Sequence, residues 1–231
     1  MGRGSALVVG VGPGLGAALV QRFAAGGLNV AMIARGAERL ADIAASMDAG
    51  EGQVLPYPCD ATDEAQVAAV FDAADAELGP VEAVVYNAGT FEPGGIRDIS
   101  VATFERCWRV GCLGGFIVAR EAARHMAPRG RGSLLFTGAT AAWRGGAGFA
   151  NLAVPKFGIR ALSQSLAREL GPEGVHVAHV VIDGRIRPPG EPTVDDRLEP
   201  ATIAESYWQL HCQPPNAWTQ ELDLRPATER F

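Results

Sequence analysis

No other part of this chain narrows its fold as much as Val8-Val9-Gly10-Val11-Gly12-Pro13-Gly14-Leu15-Gly16, where glycine alternates with small or apolar residues. An apolar run at 6–9 leads in, and Leu15, Leu19, Val20 and Phe23 repeat with helical spacing on the way out. The pattern predicts strand, glycine turn, helix. Backbone without Cβ lets a phosphate approach closely, and a helix starting at such a turn aims unpaired N–H groups at it. A tight turn without any ligand would look the same locally, so the following residues decide. The spacing fits Gly10-x-x-x-Gly14-x-Gly16 and also Gly12-x-Gly14-x-x-Ala17. A dinucleotide fingerprint expects an acidic residue about 20 positions on, to hold ribose hydroxyls. Here the second apolar run, Val30-Ala31-Met32-Ile33, ends instead in Ala34-Arg35. A guanidinium fork suits the 2′-phosphate of NADP, with NAD as the alternative.

The chain has 231 residues, 48% of them apolar, enough for one sizeable core and one α/β domain over 1–231. Its net charge of −6 and scattered cations speak against a nucleic-acid surface. The first residues pass straight into a strand, and no apolar run reaches the roughly 18 residues of a membrane span. A cytoplasmic protein without membrane partners is the expectation. Cys59, Cys107, Cys112 and Cys212 lack metal spacing, which predicts reduced thiols and no metal site. His125, His176, His179 and His211 also lie apart, and His179, inside an apolar strand, reads as a buried, hydrogen-bonded ring.

Taken in order, helical patterns are expected at 36–49, 63–78, 101–126, 151–170 and 203–211. Strands are expected at 53–57, 81–85, 133–137, 175–182 and 221–224. Gly79-Pro80 and Gly171-Pro172 are stop signals, and Ser100 is placed as a cap. Gly111, Gly114 and Gly115 fall inside one expected helix and call for tight packing or a bend. Pro155 is expected in a first helical turn, where its missing N–H breaks no bond. Residues 187–198, rich in proline and acids, read as a mobile crossing. Regular alternation of strands and helices predicts a doubly wound parallel sheet with helices on both faces.

With these landmarks in place, the chain resembles the short-chain dehydrogenase/reductase superfamily over roughly 4–224. The resemblance rests on the glycine turn, Cys59-Asp60, Asn87-Ala88-Gly89, Lys156 and Asp183-Gly184-x-Ile186. It implies a seven-stranded Rossmann sheet, with NAD or NADP across the C-terminal strand ends. It also implies a dimer or tetramer built on helices 101–126 and 151–170, and a lid over the substrate from 187–231. By the same resemblance Gly10, Gly12, Gly14, Leu15, Gly16, Arg35, Asp60, Ala61, Asn87, Ala88 and Gly89 would bind the cofactor. Gly184 and Ile186 would meet the nicotinamide amide, and Lys156 the nicotinamide ribose.

The family's chemistry is hydride transfer between nicotinamide and a carbinol or carbonyl, with a tyrosine, a serine, a lysine and an asparagine handling the proton. Counting from Lys156 puts Leu152 at the tyrosine position, Ala139 or Gly138 at the serine position and Gly111 at the asparagine position. Lys156 alone of the four matches. Two main readings follow, beside a third in which the fold binds no dinucleotide and serves packing alone. One is an oxidoreductase of unknown substrate with another proton source, for which Thr140, Lys156, Asp183 and an ordered water are candidates. The other is a catalytically silent NADP(H)-binding sensor, scaffold or partner subunit. Tyr207, Trp208, Trp218 and Phe231 could line a substrate pocket or serve packing.

Overall fold

The structure, a computed structural model, describes residues 3–47, 50 and 52–229. Strand β1 (Ser5–Val9) is buried along its whole length, so its alternate residues feed two separate cores. Leu7 and Val9 join one apolar cluster, Ala6 and Val8 the other. The chain continues through α1 (Leu15–Ala25), β2 (Asn29–Ala34), α2 (Ala37–Ala45), β3 (Val54–Pro58), α3 (Glu64–Leu78) and β4 (Val81–Tyr86). Next come α4 (Val101–Trp108), α5 (Gly114–Met126), β5 (Gly132–Thr137), α6 (Ala150–Leu170) and β6 (Val175–Ile182). Short strands β7 (Arg185–Ile186) and β8 (Arg197–Leu198) precede α7 (Pro200–His211) and β9 (Glu221–Leu224).

The seven long strands form one sheet in the order β3-β2-β1-β4-β5-β6-β9, and every pair in it is parallel. This is the doubly wound α/β sheet that the alternation predicts. Helices α3, α5 and α6 cover one face, while α1, α2 and α7 cover the other. Pro56 and Pro58 are tolerated in β3 because that strand is at the edge and has no outer neighbour to donate to. Between β1 and β4 the order of connection reverses, which opens a crevice above the strand ends.

Local signals account for the helix ends. Asp63 caps α3 by accepting from the amides of Ala65 and Gln66 at 3.0 and 3.1 Å. Ser100 caps α4 by accepting from the Thr103 amide at 3.1 Å. Gly79, with φ +90°, ends α3 as its Gly-Pro signal predicts.

Three local expectations are corrected. The helix expected over 101–126 is interrupted by a π-helical turn, Arg109–Leu113, in which the Gly114 amide reaches back to the Arg109 carbonyl. Its cause is a side chain in the ladder: the buried Tyr86 hydroxyl donates to the Val110 carbonyl. Gly111 suits this turn because a Cβ there would stand 2.8 Å from Pro155 Cβ. Pro155 itself lies well inside α6, not in its first turn, because the helix starts at Ala150. Finally, the crossing 187–198 is exposed over 188–196 but is fastened at both ends rather than loose. β7 pairs with β8, and the Arg187 guanidinium holds Glu199 at 2.7 Å and the Glu191 carbonyl at 2.7 Å.

Candidate functional site

A cavity of about 680 Å³ opens at the switch point, above the ends of β1, β2 and β4. Of the residues expected at a cofactor, Gly10, Gly12, Arg35, Asp60, Ala61, Asn87, Ala88 and Gly89 line it. The glycines divide by role. Gly10 has φ +92°, and a Cβ there would lie 2.6 Å from Ala88 Cα and 2.8 Å from the Asn87 carbonyl carbon. Gly16 is a packing glycine, since its Cβ would meet Val11 Cα at 2.8 Å. Gly12 and Gly14 face open space instead. Gly14 is the N-cap of α1 and provides no side-chain cap, and Leu15 is buried beneath the turn. The first amides of α1 are thus offered to an anion that reaches the open glycines.

Asn87 braces the turn from β4: its amide donates to the Val9 carbonyl at 2.8 Å and its side chain to the Gly10 carbonyl at 3.1 Å. Asp60 is oriented by accepting from the Thr62 amide at 2.9 Å and the Thr62 hydroxyl at 2.8 Å. Arg35 follows β2 directly and stands exposed at the cavity wall. Arg39, four residues later, lines the same wall. Neither has an ion-pair partner among the described residues. Gly36 starts α2 without a side-chain cap, so that helix end also points its open amides at this corner. Val110, from the π-helical turn, closes the far side. Sequence reasoning overlooked Arg39, Thr62 and Val110; only the four-residue step from Arg35 to Arg39 carried a readable signal.

Lys156, Gly184 and Ile186 do not line this cavity. Gly184 packs so that a Cβ would meet Pro226 Cδ at 2.8 Å, and Ile186 pairs with Leu198. Lys156 is buried, and its Nζ donates to the Thr137 carbonyl at 2.6 Å. Burial lowers its pKa to about 8. An unfolded lysine keeps its proton up to about pH 10.4. Between these values the unfolded chain binds more protons than the folded one, so stability rises with pH. We expect the wild type to gain about 2 kcal/mol from pH 8 to 10.4 relative to Lys156→Met, measured by urea unfolding at fixed pH. Parallel pH dependences would show that the ammonium is not buried.

The three tyrosines each have another partner. Tyr57 donates to Glu77 at 2.7 Å, Tyr86 to the Val110 carbonyl, and the Tyr207 hydroxyl shares a 2.7 Å bond with Thr137 Oγ1. Tyr207 thus bonds the side chain of the residue whose carbonyl binds Lys156, but it is fully buried in the opposite core, and burial raises its pKa. Leu152 stands one helical turn before Lys156 on α6. The Thr140 hydroxyl donates to Asp183, and Arg225 approaches the same carboxylate at 3.7 Å. Both of these candidate proton carriers are therefore committed to each other.

The C-terminal aromatics serve packing. Tyr207 is in the core, Trp208 packs edge-on to Phe23, and Trp218 stacks on His176 with centroids 5.0 Å apart. Phe231 lies outside the described residues. The four cysteines are free thiols. Among the described residues no cluster of three metal-ligating side chains occurs, and no helix is long and apolar enough to cross a membrane.

The sheet order and the glycine turn define a Rossmann-type α/β protein with an open crevice at its switch point. The family model for short chain dehydrogenase matches residues 5–187, and the chain belongs to that family. It is 32% identical over 199 residues to 3-oxoacyl-(acyl-carrier-protein) reductase MabA of Mycobacterium tuberculosis, covering 86% of this chain and 76% of the relative. It is 31% identical to sorbitol-6-phosphate 2-dehydrogenase of Escherichia coli, covering 80% and 72%. Among solved structures, a short-chain dehydrogenase from Rhodopseudomonas palustris is 40% identical with a TM-score of 0.86, covering 96% of this chain and 98% of that one. A metagenomic short-chain oxidoreductase in complex with NADP is 26% identical with a TM-score of 0.85, covering 98% of both chains.

Proposed function

We propose that this chain is an NADP(H)-dependent oxidoreductase interconverting a carbonyl and an alcohol, with the Lys156 ammonium, rather than a phenol, exchanging the substrate proton. The observation that carries the cofactor half is Arg35, exposed and without an ion-pair partner among the described residues, at the end of the strand where an NAD site would place a carboxylate. Gly12 and Gly14 leave room for the pyrophosphate, Asp60 and Ala61 face the adenine, and Asn87, Ala88 and Gly89 run along the ribose. Arg35 and Arg39 hold the 2′-phosphate, while Lys156, Gly184 and Ile186 meet the nicotinamide end. When bound, the nicotinamide supplies or accepts the hydride.

Leu152, Ala139 and Gly111 occupy the positions where the family carries its tyrosine, serine and asparagine. Thr140 and Asp183 are bonded to each other, so the proton carriers that remain are Lys156, itself held by the Thr137 carbonyl, and an ordered water. A buried lysine with a pKa near 8 is suited to give and take a proton near neutral pH. The exposed apolar residues Phe116, Val154 and Phe157 on α5 and α6 suit pairing with a second copy, giving a homodimer or homotetramer.

Fluorescence titration with NADPH and NADH tests the cofactor assignment. Arg35→Asp weakens NADPH binding roughly 100-fold, through loss of charge-assisted bonds and added repulsion, and NADH binding by less than about threefold. Equal losses would remove Arg35 from the 2′-phosphate. Turnover is then sought with a 3-oxoacyl thioester, sorbitol 6-phosphate and simple ketones, classes that the relatives' names suggest. Binding without turnover on any of them would favour the silent sensor, scaffold or partner subunit.

A further inference from the structure

The end of β4 carries a side chain that lies behind the cofactor cavity rather than in it. Tyr86 stands just before Asn87, Ala88 and Gly89, which line the cavity, and strand register sets it between Val9 of β1 and Phe136 of β5. It is 2% exposed, so its ring meets no ligand. Its hydroxyl is the polar tip of a buried aromatic ring and needs a partner, which it finds in the Val110 carbonyl. Burial, with Cys112 and Asp60 adding to it, pushes its pKa up, and the phenol stays a neutral donor.

Two glycines make room for this contact. A Cβ at Gly114 would lie 2.5 Å from the Tyr86 hydroxyl oxygen and 3.1 Å from the Ala61 carbonyl oxygen. The phenol's tip and the Ala61 peptide thus share the space that a side chain at 114 would take. A Cβ at Gly115 would lie 3.2 Å from Tyr86 Cε1, so the first turn of α5 rests against the ring itself. The hydroxyl stands where the loop after β3 meets the π-helical turn Arg109–Leu113. Those two segments supply Ala61 and Val110, and both residues line the cavity beside Asp60 and Thr62. Past Val110 the opening continues into a groove of about 270 Å³ that Arg35, Asp60, Thr62 and Arg109 also line. Val110 is therefore bordered by open space on two sides, and the bond from Tyr86 ties it to the sheet.

We propose that Tyr86 is a positioning residue for the adenosine end of the cofactor: by holding the Val110 carbonyl, its hydroxyl fixes the width of the slot between Ala61 and Val110 that receives the adenine ring. The role rests on the dinucleotide reading of the cavity given above. A flat ring is held by dispersion across its whole face, and a gap of about 0.5–1 Å forfeits roughly a quarter to a half of that attraction. A π-helical turn is poorly suited to hold such a tolerance by itself, since its hydrogen-bond geometry is rarely sustained beyond one turn. Fastened to β4, the central strand of seven, the turn takes its place from the sheet's interior instead.

The full chain tests this with Tyr86→Phe, which keeps the ring against Gly115 and removes the hydroxyl alone. In fluorescence titrations well below the melting temperature, NADPH and NADH both bind roughly 10-fold more weakly, the effect of one lost buried hydrogen bond. Their ratio stays within about twofold of wild type, because the 2′-phosphate is read at Arg35 and the two sites act independently. ADP-ribose, measured by displacement of NADPH, weakens by the same factor, which places the loss at the adenosine end. Hydrogen exchange of the ligand-free protein quickens at the amides of 110–115 and not along β4. Gly114→Ala, whose new methyl group would displace the phenol oxygen, reproduces both changes and serves should Tyr86→Phe fail to fold. A lower melting temperature with unchanged affinities would make the hydroxyl a strut of the fold only and would overturn the role. So would a loss confined to NADPH. Failure of the wild type to bind either dinucleotide would instead overturn the cofactor reading, and this role with it.

Discussion

Lys156→Met lowers kcat for carbonyl reduction roughly 10²–10⁴-fold, the usual range for loss of a general acid. Methionine keeps most of the length and apolar bulk of the buried stem while removing the proton. NADPH affinity falls much less than turnover, because the adenosine half of the cavity is built from β1, β2 and β4, not from α6. The Thr137 carbonyl loses its donor, which costs about 1–3 kcal/mol, and the burial cost of a cation disappears at the same time. The folded state therefore survives the change. Pre-steady-state absorbance of NADPH with a competent carbonyl reads the chemical step. A kcat within threefold of wild type would show that the proton comes from elsewhere.

Gly10→Ala separates what the glycine turn does for the fold from what it does for a ligand. A methyl group at a φ of +92°, 2.6 Å from Ala88 Cα, strains two strand ends that hydrogen bonds of Asn87 already hold together. We expect a loss of about 4 kcal/mol, which for a domain of this size lowers the melting temperature by roughly 10 °C. Gly12→Ala is the counterpart, since its new Cβ meets nothing within 4 Å. Its melting temperature changes little, while NADPH affinity drops because the methyl group occupies the pyrophosphate's approach. Calorimetry and fluorescence titration on the two variants check both halves. Equal destabilisation by both would mean that the turn is governed by backbone conformation alone.

These glycines also show where sequence reasoning reaches its limit. Strand, turn and helix were legible because burial on both sheet faces and helical spacing leave strong periodic marks, and Arg35 was legible because it ends an apolar run. Gly10, Gly12, Gly14 and Gly16 look alike as letters, yet their tasks differ according to what stands opposite them, and Ala88 is more than seventy residues away. The interruption at Arg109–Leu113 was foreshadowed only as a bend, because its cause, the Tyr86 hydroxyl, belongs to another strand. The start of α6 was legible to within one residue, and Pro155 lies beyond the first turn whether counted from 150 or 151. The orphan nitrogen of His179 has no local signature, since it faces Gly138, the residue just past β5, which offers no side chain.

The wide turn between α4 and α5 carries a consequence for evolution of the chain. An α-helix advances about 100° per residue, so one surplus residue rotates everything downstream of it by that angle. Excising a single amino acid between 109 and 113 would restore an unbroken spiral and swing either Val110 away from the nucleotide's wall or Phe116 and its neighbours off their present bearing. The residue count of this segment is locked to the phenol that props it open.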